Sequence, residues 1–392
     1  MKGIGSDRSK GLNRSTRRRS KISISTQLKL WVCAGGRCEF LGCNEPLLRD
    51  GLTLQETNYS NIAHIVAWST DGARGDDPLP LADRNRFGNL MLVCTKHHKL
   101  IDSEEHAQEY PKELLHEHKS LHEDRIASVT AYQPESKTSI VRMKSNIAGE
   151  VVEVPMAHIR EAISPRYPVD LAGIEIDLTY IRAAENAAYY STMADAITQR
   201  IAGLYAPGME TDPAQHVSVF ALGPIPLLVH LGRCLSNKVP CDIYQRHRDS
   251  EDWKWKGEGD EVSYRVSVLN RRSSDKVALV LSLSGKILER DLPKRVVSEF
   301  TVYEITLKGM TPSPSFLRTR ANFEGFNAAY RDLLRTIRET HGAVKAIHLF
   351  AAVPAPVAVA CGRETLRKVD PPLLVYDYDR KKGGFKLKLK VD

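Results

Sequence analysis

The sequence has no apolar run long enough to cross a bilayer. Its longest apolar stretch, Ile347 to Cys361, is broken by His348, Pro354 and Pro356, whereas a span needs about 20 apolar residues. No apolar segment follows the basic N-terminus, so no secretory signal is read and a soluble, cytoplasmic location is expected. Seven cysteines in 392 residues, unevenly spaced, do not make a disulfide framework. Gly-x-Gly-x-x-Gly and the Walker pattern are both missing from the strand-to-helix turns, which disfavours dinucleotide cofactors and ATP.

What is present is enough for a core: 42% apolar and 27% charged residues exclude global disorder. The length predicts two or three domains. Net charge is +8, but residues 1–21 carry +7 and residues 380–392 carry +5, which leaves −4 for the body between them. An acidic body argues against a large DNA-reading face there.

Composition divides the chain. Residues 1–25 read as a basic arm. Residues 26–128 are dense in Cys, His and Asn, with a helix expected over Glu109–Val129 that presents Leu114, Leu115, His118, Leu121 and Ile126 on one face. Residues 129–169, with Pro134 and Pro155, read as a linker holding a short strand near Val151–Val154. From 170 to 392 strands and helices alternate, which predicts an α/β multidomain protein with its larger α/β layer here. Expected strands are Val217–Leu222, Asp242–Gln245, Tyr264–Leu269, Val277–Leu283, Phe300–Leu307, Ala346–Ala351 and Leu373–Tyr376. Expected helices are Ala183–Leu204, Pro226–Leu235 and Phe316–Thr340. The alternating tail Phe385–Val391 reads as an edge strand guarded by lysines.

An internal repeat is visible in this region. Phe220-Ala-Leu-Gly-Pro-Ile-Pro-Leu-Leu-Val-His-Leu-Gly-Arg233 matches Phe350-Ala-Ala-Val-Pro-Ala-Pro-Val-Ala-Val-Ala-Cys-Gly-Arg363 at a constant offset of 130. Each copy reads as strand, Pro turn and helix, followed by a strand ending near Tyr244 or Tyr376. The repeats, near 216–247 and 346–378, predict two fused Rossmann-like halves. Helix N-termini facing each other across such a pair suit a pseudo-twofold anion with two phosphates. Trp253 and Trp255, set among Arg and Lys after a strand end, suit stacking on a base.

Two constellations carry chemistry in the first part. Cys38 and Cys43 form one close pair, Cys94 and His97 another, the arrangement of a closed structural zinc site. Cys33 is a rival for Cys38; Cys38 is preferred because Gly35-Gly36 would end the preceding helix and open a ligand-bearing knuckle. His64, Asn89 and His98 remain. His64 can act as a base, Asn89 can offer a carbonyl oxygen to a hard cation, and Asp102 shares the helix face of His98. Mg²⁺ or Mn²⁺ there could support phosphodiester hydrolysis.

The segment Cys38 to Asp102 resembles an HNH endonuclease of the ββα-metal class in its zinc-stabilised form. The resemblance implies that His64 is the general base, Asn89 the middle Asn and His98 a metal ligand. Ala63 stands where many members carry Asp or His, so Asp102 or Asp76 is left to compensate, and His97 replaces a more usual Cys. The Phe-Ala-x-x-Pro-x-Pro repeat, Gln245-Arg246 and Val375-Tyr-Asp377 resemble a SAVED domain, built from two CARF-like halves that sense cyclic oligonucleotides. This resemblance implies ligand contacts from Pro224, Gln245, Arg246, Trp253, Trp255, Pro354, Ala355, Arg363 and Tyr376. An HNH–SAVED fusion resembles a CBASS antiphage effector. It implies a cyclic-dinucleotide-activated, metal-dependent nuclease of low sequence selectivity on double-stranded DNA, assembled by ligand into a homo-oligomer, with a tetramer expected. The alternative is a restriction-type HNH nuclease whose C-terminal domain reads DNA or a modified base.

Overall fold

The structure is a computed structural model that describes residues 21–131, 134–147, 150–151, 153–170, 173–179, 187–205, 215–272, 275–379 and 383–392. The expected basic arm lies outside the described residues up to residue 20, as do residues 183–186 of the expected helix Ala183–Leu204. The chain divides into two compact units, 1–132 and 133–392.

The first unit opens with α1 (Ile24–Ala34). Ser23 caps it by accepting the Thr26 N–H at 3.1 Å, and Gly35 closes it at φ 60°, a conformation that favours glycine. The arm therefore stops short of its expected limit at residue 25. β1 (Ser60–His64) and β2 (Leu90–Cys94) form an antiparallel pair in which His64 faces Leu90. β2 is buried throughout and runs directly into α2 (Thr95–Asp102), which packs on β1. α3 (Lys112–Thr130) covers α1, and His122 Nε2 lies 2.9 Å from Ala34 O. Its buried face runs through Leu115, His118 and His122, while Leu121 is exposed, so the expected apolar stripe is rotated. The core is small: Leu47, Ala63, Ile65, Met91, Leu92, Val93, Ile101 and Leu115 pack around the two buried thiols Cys38 and Cys94. A core of that size gains from a staple.

The second unit begins where a linker was expected. β3 (Lys137–Lys144) is the inner strand of its first sheet, and the hairpin β4 (Asn146–Ile147) with β5 (Glu150–Val151) and the helix α4 (Met156–Ile163) follow. The strands β3 to β5 and the helix α4 thus belong to the second unit's own fold and not to a linker. β6 (Tyr167–Pro168) and β7 (Ile174–Asp177) both pair with β3; α5 (Ala187–Ala202), β8 (Val217–Ala221), α6 (Ile225–Leu235) and β9 (Cys241–Ile243) complete a half whose strands are all parallel, ordered β7-β3-β8-β9. The next half comprises β10 (Tyr264–Asn270), β11 (Val277–Ser282), α7 (Lys294–Glu299), β12 (Thr301–Leu307), α8 (Arg320–His341), β13 (Ile347–Ala352), α9 (Ala355–Glu364), β14 (Leu373–Tyr378) and β15 (Phe385–Val391). Its parallel strands are ordered β12-β11-β13-β14, with β10 and β15 as antiparallel edges.

The two halves share one winding: first strand inside, second at its side, third and fourth across. The sequence repeat covers only the third strand and its helix, and the structure extends the duplication to the whole half. Doubly wound sheets of this order have their crevice at the carboxyl ends of the first and third strands.

The repeated residues perform matched tasks. Pro226 and Pro356 occupy the second helical position, where no N–H is needed. Phe220 stacks on Tyr244, just past β9 (4.6 Å between centroids), and Phe350 packs on Tyr376 of the neighbouring strand β14 (4.4 Å). A Cβ on Gly232 would lie 1.8 Å from Val359 O, and one on Gly362 would lie 1.8 Å from Val229 O. The helices α6 and α9 therefore meet backbone to backbone. Arg233 then donates to Thr365 O, and Arg363 donates to Val239 O at 3.0 Å, so each half holds the loop after the other's helix.

Candidate functional site

In the first unit, Cys38, Cys43, Cys94 and His97 place their ligand atoms within 4.8 Å of one another. Cys38 Sγ lies 3.5 Å and Cys94 Sγ 3.2 Å from His97 Nδ1, and the Cys94 N–H points at Cys38 Sγ from 3.4 Å. Phe40 stacks on the His97 ring at 4.1 Å and 4°, which fixes its plane. Cys33 is outside the group, in accord with the preference for Cys38. Burial pushes the Cys38 and Cys94 thiols up and His97 down. Three soft sulfurs and one imidazole nitrogen form a donor set of the right composition and spacing for tetrahedral zinc, whose charge would displace the thiol protons.

That cluster sits at the junction of β2 and α2 and so sets the position of the next residue, His98. His98 Nε2 lies 3.5 Å from Asp102 Oδ2, the i,i+4 pair expected, and both side chains are partly open to solvent. His64 ends β1, buried at 5% exposure, and donates from Nε2 to Asn85 Oδ1 at 2.9 Å. Asn85 was not foreseen: it lies 21 residues from His64 in an irregular loop, with no spacing rule to connect them.

Asn89 does something other than expected. Its Oδ1 accepts the Val66 N–H at 2.8 Å, and its Nδ2 donates to Val66 O and Arg84 O, both at 2.9 Å. The amide is buried and clasps the segment after β1 to the segment before β2, so it is a structural residue and not an oxygen donor to a cation. Buried Arg84 and partly buried Arg74 hold the same loop. Arg84 donates to the carbonyls of Ala67, Gly75, Asp77 and Leu79, and Arg74 to those of Ile65, Ile101 and Tyr110. Ala63 points into the core, where a carboxylate would be buried without a partner, while Asp76 is exposed.

In the second unit the nine residues expected to contact ligand do not gather in one cavity. Gln245 and Arg246 line a cavity of about 330 Å³ with Asp249 and Arg318 at the end of β9. Trp255 lines another, of about 540 Å³, with Arg166, Asp242, Tyr244 and Arg320, and it stacks on Phe323. Trp253 is 1% exposed and packs edge-on against Phe220, so it belongs to the core and offers no face to a base. Tyr376 packs against Phe350, and its hydroxyl lies 2.9 Å from His348 Nδ1, which makes it a sheet contact. Arg363 ties down Val239 at the far end of α9, away from Pro354 and Ala355, which start that helix as Pro224 starts α6. The sequence repeat marks the packing of two halves more than a list of ligand contacts.

Comparison with known proteins adds the following. Residues 197–391 match the family model described as SAVED, the SMODS-associated and fused to various effectors sensor domain. No curated protein matches the chain. Among solved structures, the Cap4 SAVED/CARF-domain containing receptor of Acinetobacter baumannii with the cyclic trinucleotide 3'3'3'-cAAA is similar at 10% identity and a TM-score of 0.43, covering 75% of this chain and 62% of that one. The Moraxella osloensis Cap4 receptor is similar at 10% identity and a TM-score of 0.39, covering 74% and 60%. The chain thus spans less than two thirds of the length of these receptors. Among the described residues no helix is long and apolar enough to cross a membrane. The segment from residue 197 to residue 391 is thus similar to the SAVED sensor domain.

Proposed function

We propose that this protein is an effector of the CBASS type, in which a cyclic oligonucleotide bound by the SAVED domain switches on an HNH-type DNA endonuclease in the first unit. The observation that carries the reading is the union, in one chain, of a SAVED-like domain with a ββα unit whose three sulfurs and one imidazole nitrogen converge beside His98. The duplicated halves favour a pseudo-symmetric ligand, and a cyclic dinucleotide is the simplest of these. Two HNH units brought together by ligand-driven assembly, for which a tetramer is the expected form, would cut both strands of a duplex.

The chemistry follows from the side chains. Cys38, Cys43, Cys94 and His97 hold the structural zinc and thereby fix the start of α2. His64, oriented by Asn85, takes the proton of the attacking water. His98 and Asp102 present a nitrogen and an oxygen to a divalent cation, Mg²⁺ or Mn²⁺, which when bound supplies charge for the phosphorane-like transition state and leaving oxygen. Ligand gating requires that the assembled state bind the cyclic nucleotide better than the free state does. The test is plasmid degradation across a panel of cyclic di- and trinucleotides, with His64→Ala as control. Cutting that needs one of these ligands and His64 supports the reading; full cutting without any ligand, dependent on DNA sequence or methylation, would replace it with a restriction-type enzyme.

A further inference from the structure

The six-stranded sheet of the second unit has two edges, and they differ in chemistry. β15 alternates Lys386, Lys388 and Lys390 with apolar residues, which guards it against further pairing, and Lys388 lies over the Tyr190 ring of α5. β10, the opposite edge, carries no lysine and pairs only with β12 among the described residues. Val266, Val268 and Leu269 on it are 44%, 38% and 54% exposed, and Leu269 is the extra residue of a bulge. Tyr264 shares a face with the two valines but is held by α8, its hydroxyl donating to Asn322 O at 2.9 Å.

The register identifies which backbone groups of β10 are open. The Lys308 N–H donates to Ser263 O at 2.9 Å, so Ser263 points towards β12, and by alternation so do Arg265 and Ser267. Tyr264, Val266 and Val268 then aim their N–H and C=O groups away from the sheet. This set is symmetric about Val266. A second β10 laid antiparallel across a twofold axis there would set Val266 against Val266 and Tyr264 against Val268, with donors meeting acceptors. The flanking charges agree with that direction. Glu258, Asp260 and Glu261 precede the strand, Arg271 and Arg272 follow it, and all five are exposed. None of them forms an ion pair among the described residues. Antiparallel pairing brings Glu261 of one copy beside Arg271 of the other, and Asp260 beside Arg272, once on each side of the axis. Parallel pairing in register would set like charges together.

We propose that the open edge of β10 binds a second copy of this chain, antiparallel about a twofold axis at Val266, in the absence of any nucleotide. The pairing depends on neither the nuclease nor the ligand. Ligand that then joined two such pairs would give the expected tetramer, a step that rests on the function proposed above. Sedimentation equilibrium of the ligand-free full chain at low salt measures the dimer, and cleavage plays no part in the readout. The parent is compared with Val266→Lys, Glu261→Arg, Arg271→Glu and the double variant Glu261→Arg/Arg271→Glu, each checked by circular dichroism for an unchanged fold. Val266→Lys and each single charge reversal are expected to weaken the dimer by roughly tenfold or more, since each places like charges face to face. The double variant restores opposite charges and should recover the parent's affinity to within about threefold. A parent that stays monomeric at every concentration overturns the proposal. So does a dimer that Val266→Lys leaves intact, because the partner then sits elsewhere. A double variant no tighter than the single ones overturns it as well, because the strands then do not run antiparallel.

Discussion

At the scale of single residues, the informative contact is the one between His64 and Asn85. The general base proposed at His64 needs its ring held in one orientation, and the 2.9 Å bond from Nε2 to Asn85 Oδ1 supplies that hold. Asn85→Ala is expected to slow cleavage by roughly 10- to 100-fold with little change in melting temperature. Asn85→Asp sets a carboxylate against the ring and favours its charged form, so the acidic limb of the pH–rate profile should move up by about one unit, with activity recovered in mild alkali. An unmoved profile would remove Asn85 from the machinery. Of the residues singled out from sequence, Cys38 with Cys43 and Cys94 with His97 were legible because each spacing is local, and the pairing of the Cys38 segment with β2 brings the two pairs together. Asn89 was legible as important but not in its role, since a clasp on Val66 depends on how a loop closes.

At the scale of elements, two joints hold the molecule. The ββα unit has a small core, and its four donors join the segment after α1 to the junction of β2 and α2. Removing the proposed zinc with a strong chelator, or changing Cys94 to Ser, is expected to unfold residues 21–131, because a structural zinc would supply about 10 kcal/mol or more to such a module; limited proteolysis of that segment is the check. The other joint is α6 on α9. Gly232→Ala and Gly362→Ala would each drive a methyl into a carbonyl of the facing helix and should destabilise by about 3 kcal/mol or more, read from denaturant unfolding.

A third expectation concerns Asp242. Burial would raise its pKa, but the His216 hydrogen bond and the Arg320 charge outweigh burial and hold it below the ordinary value. A depressed carboxylate stabilises the fold above its unfolded pKa of about 4, and the contribution fades as pH falls through the folded value. Asp242→Asn should therefore lower stability at pH 7 and converge with the parent in acid. Strands at the centre of the second sheet of this unit were legible from apolar runs. β3 was not, because Lys137, Arg142 and Lys144 interrupt its alternation and Pro134 and Pro155 flank it.

At the scale of the whole chain, the 130-residue offset foretold a duplicated fold, and the structure shows why so few positions carry it. Residues coincide where backbones touch or helices begin, at Pro226 and Pro356, Gly232 and Gly362, Arg233 and Arg363, and at the packed rings Phe220 and Phe350, while much of the other packing is met by different side chains. The same reasoning explains the limit of the sequence reading for the ligand site. A repeat reports what two halves have in common, whereas base recognition depends on contacts peculiar to each. The central claim is that a sensor governs a nuclease. It is tested most directly by incubating the purified protein with supercoiled plasmid and Mg²⁺, with and without each member of a cyclic-nucleotide panel. The account predicts degradation only with a matching ligand, abolished by His64→Ala; ligand that binds without eliciting any cleavage, or cleavage that survives His64→Ala, would contradict it.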